Sequence, residues 1–157
     1  MLGPMPNISD KPPVVGAVGW SSDGRHILTA RADASVEVWC ARTLERLRGL
    51  TIDGSPAHAR EVYVLECHPM LSHVACTASY DGTVVVWDIR SGAALRELQV
   101  PRLDNDSEII EGRWSADGTV LSVTDIGGRL SVFGVALGAA SAASSSDAAA
   151  YGGTALS

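Results

Sequence analysis

Basic residues are scarce in this sequence relative to acidic ones. Its 157 residues include 12 lysines and arginines against 18 aspartates and glutamates, which gives a net charge of −6 and a pI near 5.1. Affinity for phosphate groups depends on clustered lysine and arginine, so this balance argues against a surface for DNA or RNA. We therefore expect no direct contact with nucleic acid.

Cysteines are equally few. Cys40, Cys67 and Cys76 are odd in number, have no Cys-x-x-Cys spacing and lie within apolar runs. Free cysteine is among the most buried residue types, whereas disulfides belong to oxidising compartments. The pattern predicts buried free thiols in an intracellular protein, and a disulfide or a metal site is the less favoured alternative.

Long hydrophobic runs and targeting signals are also lacking. The start of the sequence has no basic region followed by an apolar core, and no apolar stretch reaches the roughly 20 residues that cross a membrane. The sequence therefore predicts neither secretion nor a membrane anchor, and a nuclear or cytoplasmic location is expected. Its 46% hydrophobic and 19% charged residues are nevertheless the composition of a folded domain.

What the sequence does contain is an internal repeat. The residue that ends the first predicted strand of each unit recurs every 47 residues, as Trp20, Cys67 and Trp114. An aromatic residue follows at steps of 48 and 46 residues, as Trp39, Trp87 and Phe133. Because two landmarks keep one register, the three units are expected to share one local structure.

Each unit has the pattern of short antiparallel strands. Runs rich in Val, Ile and Thr are separated by Asp-Gly or Gly-Gly pairs, such as Asp81-Gly82 and Gly127-Gly128, which are typical of tight hairpins. A fourth strand is predicted around Leu47 in the first unit and around Leu98 in the second. The leucine spacing there also suits a short amphipathic helix, but the short linker to the next unit favours a strand.

Four short strands in a repeat of this length, ending in Trp87-Asp88, resemble the WD40 repeat of β-propellers. The resemblance implies an all-β fold, a partial WD40 β-propeller of about three four-stranded antiparallel blades. No helix is needed within the repeat. The blades are expected at residues 13–51, 57–100 and 104–135.

Two terminal segments lie outside these blades. Residues 1–12 are expected to be disordered, and residues 136–157 to form a flexible tail rich in Ala, Ser and Gly. Blades of a closed propeller hide their faces against neighbours, so three blades expose two flanks. The chain is therefore expected to be a fragment or an incomplete gene product, and on its own a marginally stable arc that associates.

The second unit also matches polar positions of the WD40 repeat, with His58, Thr77 or Ser79, Asp81 and Trp87. In WD40 repeats such residues form a buried hydrogen-bond chain, because polar groups enclosed between sheets need partners. The resemblance therefore implies a structural hydrogen-bond chain through these positions. The first and third units depart from the pattern and should depend more on apolar packing.

The stretch from Val14 to about Gly138 further resembles the last three propeller repeats of the bromodomain and WD-repeat family, which includes the pleckstrin-homology-domain-interacting protein. The specific part runs from Ala57 to Pro69. The resemblance implies a non-catalytic scaffold that binds other proteins, as a chromatin- or transcription-associated regulator or as a substrate receptor of a cullin-4 ubiquitin ligase. No bromodomain is present in the sequence, so acetyl-lysine recognition is not implied.

The segment Trp87-Asp88-Ile89-Arg90 fits the Trp-Asp-x-Arg signature through which some WD40 receptors are thought to contact the cullin-4 ligase adaptor. Arg90 would offer a planar fork of donors to carboxylates of a partner, so Asp88 and Arg90 are the candidate adaptor contact. The favoured alternative is that both residues only end the strand and cap a turn.

No catalytic, cofactor-binding or metal-binding residues are predicted. His68 and His73 lie five residues apart in a predicted loop without an obvious third ligand, and the sequence has no nucleophile elbow or phosphate-binding glycine loop. The rival hypothesis is an enzyme with catalytic groups at the central channel of a propeller. Clustering of these histidines, His26 or His58 with acidic side chains in one pocket would favour it. A remnant without activity is the third possibility.

Overall fold

The computed structural model describes residues 14–101 and 107–134, and within them the backbone forms thirteen β-strands and no helix. No helix in these ranges is therefore long and apolar enough to cross a membrane. The first sheet contains β1 (Val15–Trp20), β2 (His26–Arg31), β3 (Val36–Cys40) and β4 (Arg46–Gly49). A two-stranded hairpin follows, with β5 (Thr51–Ile52) and β6 (Ser55–Pro56).

The second sheet contains β7 (Val62–Cys67), β8 (Val74–Ser79), β9 (Thr83–Asp88) and β10 (Ala93–Gln99). The third contains β11 (Ile109–Trp114), β12 (Val120–Asp125) and β13 (Leu130–Gly134). Each sheet is an antiparallel meander in which every strand pairs with the next along the chain. The predicted all-β fold of propeller blades is confirmed, and the three sheets are called blades 1, 2 and 3 below.

The outer segments of blades 1 and 2, β4 and β10, are strands, so the helical alternative is wrong for both. Blade 3 has three described strands, and any fourth strand would lie outside the described residues. The segments predicted to be disordered or flexible, residues 1–12 and 136–157, also lie outside them.

The hairpin β5–β6 was not predicted, because residues 52–56 were assigned to a linker between blades. Asp53 and Gly54 at its turn have positive φ angles of 50° and 78°. Two successive positive φ angles are typical of the tight type I′ hairpin turn, in which an Asp-Gly pair is favoured. The Asp-Gly signal was therefore present in the sequence, but the strands beside it are only two residues long.

Two clusters of buried side chains hold the blades together. Side chains alternate between the two faces of a strand, so each blade presents a leading face toward the preceding blade and a trailing face toward the next. The first cluster joins the trailing face of blade 1, with Leu28 and Val38, to the leading face of blade 2, with Trp87. The second joins the trailing face of blade 2, with Val86, to blade 3, with Phe133.

Among the innermost strands, β7 lies close to both β1 and β11. A Cβ atom at Gly112 would lie 2.9 Å from Cγ1 of Val64, closer than such atoms come in folded proteins. Glycine at this position of β11 therefore permits the contact with β7. Neighbouring blades therefore contact one another mainly through these strands.

The outer flanks of the three-blade arc are open in the part of the chain that the structure describes. Val18 and Trp20 on the leading face of blade 1 are 61% and 58% exposed. Leu130 on the trailing face of blade 3 is 59% exposed. Exposed apolar side chains of this kind are typical of surfaces that bind protein.

Candidate functional site

A chain of buried hydrogen bonds crosses blade 2. The indole Nε1–H of Trp87 donates to Oγ1 of Thr77 over 2.9 Å, and this oxygen lies 2.7 Å from Nε2 of His58. Nδ1 of His58 is 2.8 Å from Oγ1 of Thr83, whose hydroxyl donates to the carboxylate of Asp81. Five side chains on two strands and two loops are thereby joined into one network.

The donors in this network fix the proton positions. The indole nitrogen of Trp87 can only donate, so Thr77 accepts from it and directs its own hydroxyl proton toward Nε2 of His58. His58 then carries its proton on Nδ1 and donates it to Thr83, which in turn donates to Asp81. With this arrangement every polar atom along the chain has a hydrogen-bond partner.

Asp81 is the acceptor at the end of the chain. Besides Thr83, its carboxylate accepts the backbone N–H groups of Ala59 at 2.7 Å and of Thr83 at 2.8 Å. Burial disfavours the charged form, but these hydrogen bonds and the nearby His58 outweigh it, and they hold the pKa of Asp81 well below its ordinary value. Asp81 is therefore a carboxylate that fastens the loop before β7 to the β8–β9 turn.

The sequence left open whether Thr77 or Ser79 belongs to the chain. The structure places Thr77 between His58 and Trp87, whereas Ser79 donates to the carbonyl of Arg60 and accepts from the backbone N–H of Asp81. Thr83 was missed as a member of the chain. Its signal was the Asp-Gly-Thr triplet, in which a threonine follows the turn aspartate by two residues.

Substitution of Asp81 by asparagine is expected to weaken the acid sensitivity of the fold. Because the folded-state pKa of Asp81 is lowered, its contribution to stability is present above the ordinary value of 3.8 and is lost as pH falls below that value. Thermal unfolding followed by circular dichroism between pH 3 and 7 measures this loss. Wild type should lose more stability than D81N between pH 4 and 3, and equal slopes would contradict the role of Asp81.

The other two blades keep only part of this arrangement. In blade 1 the indole of Trp39 donates to Oγ1 of Thr29 over 3.0 Å, the same bond that Trp87 forms in blade 2. In blade 3 the corresponding positions hold Val123 and Phe133, which pack against the trailing face of blade 2. The polar chain is complete only in blade 2 among the described blades.

The candidate adaptor contact consists of Asp88, which ends β9, and Arg90, which lies in the turn between β9 and β10. The carboxylate of Asp88 accepts the backbone N–H of Arg90 at 2.9 Å and the hydroxyl of Ser91 at 3.0 Å. Burial opposes ionisation of Asp88, but the hydrogen bonds from these two residues lower its pKa. Asp88 therefore caps the turn.

Arg90, unlike Asp88, directs its side chain to the surface. Its side chain is exposed, and in residues 14–101 and 107–134 its guanidinium forms no hydrogen bond or ion pair. Its backbone carbonyl accepts a hydrogen bond from the guanidinium of Arg48 on β4 of blade 1. Two arginines from neighbouring blades thus meet at one turn, and Arg48 was not found from the sequence because the pairing depends on how the blades pack.

His68 binds backbone groups rather than a metal. Its Nδ1 accepts the N–H groups of Met70 and Leu71 at 3.1 and 3.0 Å, so its Nε2 carries the proton and donates to the carbonyl of Gly118 at 3.0 Å. The imidazole therefore anchors its own turn and reaches across to blade 3. In the described ranges no three His, Cys, Asp or Glu side chains gather as metal ligands would.

The cysteines are free thiols with different surroundings. Cys76 is fully buried, whereas Cys40 and Cys67 are only partly buried, so the expectation of three buried thiols is wrong for two of them. Burial raises the pKa of Cys67 to about 12. Hydrogen bonds from Thr43 and Arg42 instead lower the pKa of Cys40.

Two tyrosines form a partly exposed pair beside the linker before β7. The rings of Tyr63 and Tyr80 stack at 4.6 Å, and the guanidinium of Arg60 lies 5.5 Å from the ring centre of Tyr80. Arg60 also pairs with Glu108 of the segment before β11 over 2.6 Å. The cluster links blades 2 and 3 and leaves Tyr63 half-exposed at the surface.

The histidines do not gather with acidic groups in an open pocket of the described residues. His58 is near Asp81, but its ring is sealed inside blade 2. His68 is held by backbone groups. His26 and Cys40 border a cavity of about 670 Å³ at one end of blade 1, and no carboxylate is among the residues that line it.

Comparison with known proteins agrees with this architecture. Residues 9–40 and 50–88 match the family described as WD domain, G-beta repeat. Three repeated antiparallel blades and the buried hydrogen bonds from Trp87 to Asp81 define a WD40-repeat module. Modules of this class mediate binding between proteins. The chain belongs to the WD40-repeat proteins.

Its relatives include a bromodomain and WD repeat-containing protein of Dictyostelium discoideum, 30% identical over 124 residues. That alignment covers 76% of this chain and 5% of the relative. Coronin-7 of Mus musculus is 27% identical over 131 residues, covering 82% of this chain and 14% of that protein, and Coronin-7 of Homo sapiens is 29% identical over 113 residues. The chain thus spans only a small part of these relatives.

Proposed function

We propose that this chain is a non-catalytic scaffold that binds a partner protein through the turn carrying Arg90, as a substrate receptor does with the adaptor of a cullin-4 ubiquitin ligase. The observation that carries the proposal is the pair of Arg48 and Arg90. Arg90 is exposed, and its guanidinium has no partner within the described residues. An arginine of this kind can form paired hydrogen bonds with a carboxylate of another protein.

The neighbouring groups favour such a contact. Asp88 is engaged by the turn, so its carboxylate does not compete for the guanidinium of Arg90. Arg48 hydrogen-bonds the carbonyl of Arg90 and thereby fixes the backbone from which the Arg90 side chain projects. An isolated surface ion pair contributes little to stability, but an arginine that becomes desolvated at an interface can dominate binding.

Replacing Arg90 by alanine is expected to abolish most recovery of the cullin-4 adaptor in a pull-down with the purified chain. The fold should be unchanged, since the guanidinium of Arg90 has no hydrogen bond or ion pair to lose in the described residues. Arg96 on the outer strand β10 is also exposed and serves as the matched control, so R96A should retain wild-type recovery. Equal recovery of the adaptor with R90A and wild type would overturn the proposal.

The proposal extends to a chromatin or transcription role in the nucleus. It is supported by the similarity to a protein whose name contains both a bromodomain and WD repeats. The rival proposal of an enzyme built on a propeller has less support, because His58 is sealed within blade 2, His68 is held by backbone groups, and no described carboxylate lines the cavity beside His26. Nuclear accumulation of a fluorescent fusion of the chain would support the first proposal, and exclusion from the nucleus would contradict it.

A further inference from the structure

A histidine of blade 2 fits into a notch of blade 3 that is formed by Trp114 and Gly118. His68 at the β7–β8 turn of blade 2 packs on Trp114 of blade 3, with ring centres 4.8 Å apart, and donates Nε2–H to the carbonyl of Gly118. A Cβ atom at Gly118 would lie 2.1 Å from Cε1 of His68. The absence of a side chain at Gly118 therefore makes room for the imidazole.

Blade 1 carries the same notch residues in the same conformation. Trp20 and Gly24 stand at the places of Trp114 and Gly118, because each tryptophan ends the innermost strand and each glycine closes the turn that follows. The glycine φ angles are 67° and 74°. In both turns the glycine N–H donates to a serine carbonyl at 2.8 Å, and that serine hydroxyl donates to the turn aspartate at 2.6 Å.

The notch of blade 1 is open where that of blade 3 is filled. Trp20 is 58% exposed, and a Cβ atom at Gly24 would meet no described atom within 4 Å. A cavity of about 670 Å³ lies beside both residues and extends toward Arg25, His26 and Arg42. Within the described residues, no hydrogen bond is donated to the carbonyl of Gly24.

We propose that the notch formed by Trp20 and Gly24, called the Trp20 notch, binds a histidine presented on a β-turn of another WD40-type blade. The imidazole would pack on the indole of Trp20 and donate Nε2–H to the carbonyl of Gly24, as His68 does in blade 3. Continuity with the interface between blades 2 and 3 supports this occupant, because the leading face of blade 1 extends beyond the notch as an apolar surface.

A second copy of this chain is not the occupant. In a head-to-tail arrangement the turn that meets the Trp20 notch would be that of blade 3, which has Ser115 where blade 2 has His68. His68 itself is already engaged by Gly118 in its own chain. The partner blade must therefore bring a histidine that this chain does not offer.

The test uses the whole chain labelled with fluorotryptophan and a cyclised peptide that carries residues 66–74, the turn with His68. Fluorine NMR resolves the four tryptophans, and W20F assigns the signal of Trp20. The peptide is expected to shift the Trp20 signal with a saturable dependence on concentration. A peptide with His68→Ala should bind about ten-fold more weakly, since it loses both the ring contact and the hydrogen bond.

Variants of the chain distinguish peptide binding at the Trp20 notch from nonspecific binding elsewhere on the surface. G24A puts a methyl group where the imidazole should sit, so peptide affinity should fall about ten-fold or more. G128A is the matched control, since Gly128 also has a positive φ of 75° with no atom near its Cβ position, but lies at the β12–β13 turn of blade 3. W20A lacks the Trp20 signal, so its binding is followed by fluorescence anisotropy of a labelled peptide; it should also abolish binding, which provides a second variant if G24A folds poorly.

Equal affinity of the two peptides, equal affinity of wild type and G24A, or no change in the Trp20 signal would each overturn the proposal. The inference does not depend on Arg90, and R90A should bind the peptide as wild type does. Failure of the adaptor pull-down and failure of notch binding are therefore distinguishable.

Discussion

Replacing Trp87 by alanine is expected to lower the free energy of unfolding by about 3–5 kcal/mol, the range for loss of a large buried aromatic residue. Trp87 is completely buried between blades 1 and 2, and its indole N–H satisfies Thr77. The substitution removes this packing and also leaves Thr77 without its donor. Urea unfolding followed by circular dichroism measures the change.

Trp39 provides the matched control for this prediction, because it forms the same bond to Thr29 but lies on the open leading face of blade 1 and is only partly buried. W39A should therefore lower the free energy of unfolding clearly less than W87A does. If W87A does not fold, W87F keeps most of the packing and should cost about 1–3 kcal/mol for the lost hydrogen bond. Equal losses for W39A and W87A would contradict the account of the open flank.

Gly118→Ala is expected to destabilise the contact between blades 2 and 3 by about 2–4 kcal/mol. The new methyl group would overlap the ring of His68, and overpacking of this kind costs about 1–3 kcal/mol. Alanine at a φ of 74° adds about 1 kcal/mol or more of backbone strain. Thermal and urea unfolding of the purified variant measure the sum.

A double-mutant cycle separates these two costs. Gly128→Ala has a similar positive φ and no neighbour at its Cβ position, so it should show only the backbone cost. When His68 is also replaced by alanine, Gly118→Ala should become about as mild as Gly128→Ala, because the overlap is gone. Strict additivity of the His68 and Gly118 substitutions would show that the ring and the glycine are not coupled.

The strands were predictable because they depend on local rules. Alternating apolar residues and Asp-Gly turns determine hairpins over a few residues, and the 47-residue repeat of Trp20, Cys67 and Trp114 marks equivalent strands. The hairpin β5–β6 escaped prediction because its strands are too short to show alternation, although Asp53-Gly54 gave the turn signal.

The side-chain contacts were less predictable because they depend on how blades meet. Thr77 and Ser79 have nearly the same sequence context, and only the packed blade shows that Thr77 lies between His58 and Trp87. The approach of Arg48 to the carbonyl of Arg90 likewise joins residues 42 positions apart. Neither contact leaves a periodic signal in the sequence.

Because the two apolar clusters are separate, the three blades contribute to stability as a linear array, in which each blade interacts only with its neighbours. Blade 1 and blade 3 share no cluster, and each is coupled only to blade 2. The free energy of folding is then approximately three intrinsic contributions and two nearest-neighbour couplings. Damage at one junction leaves the other intact, and a blade joined to either flank would add a coupling without altering those already present.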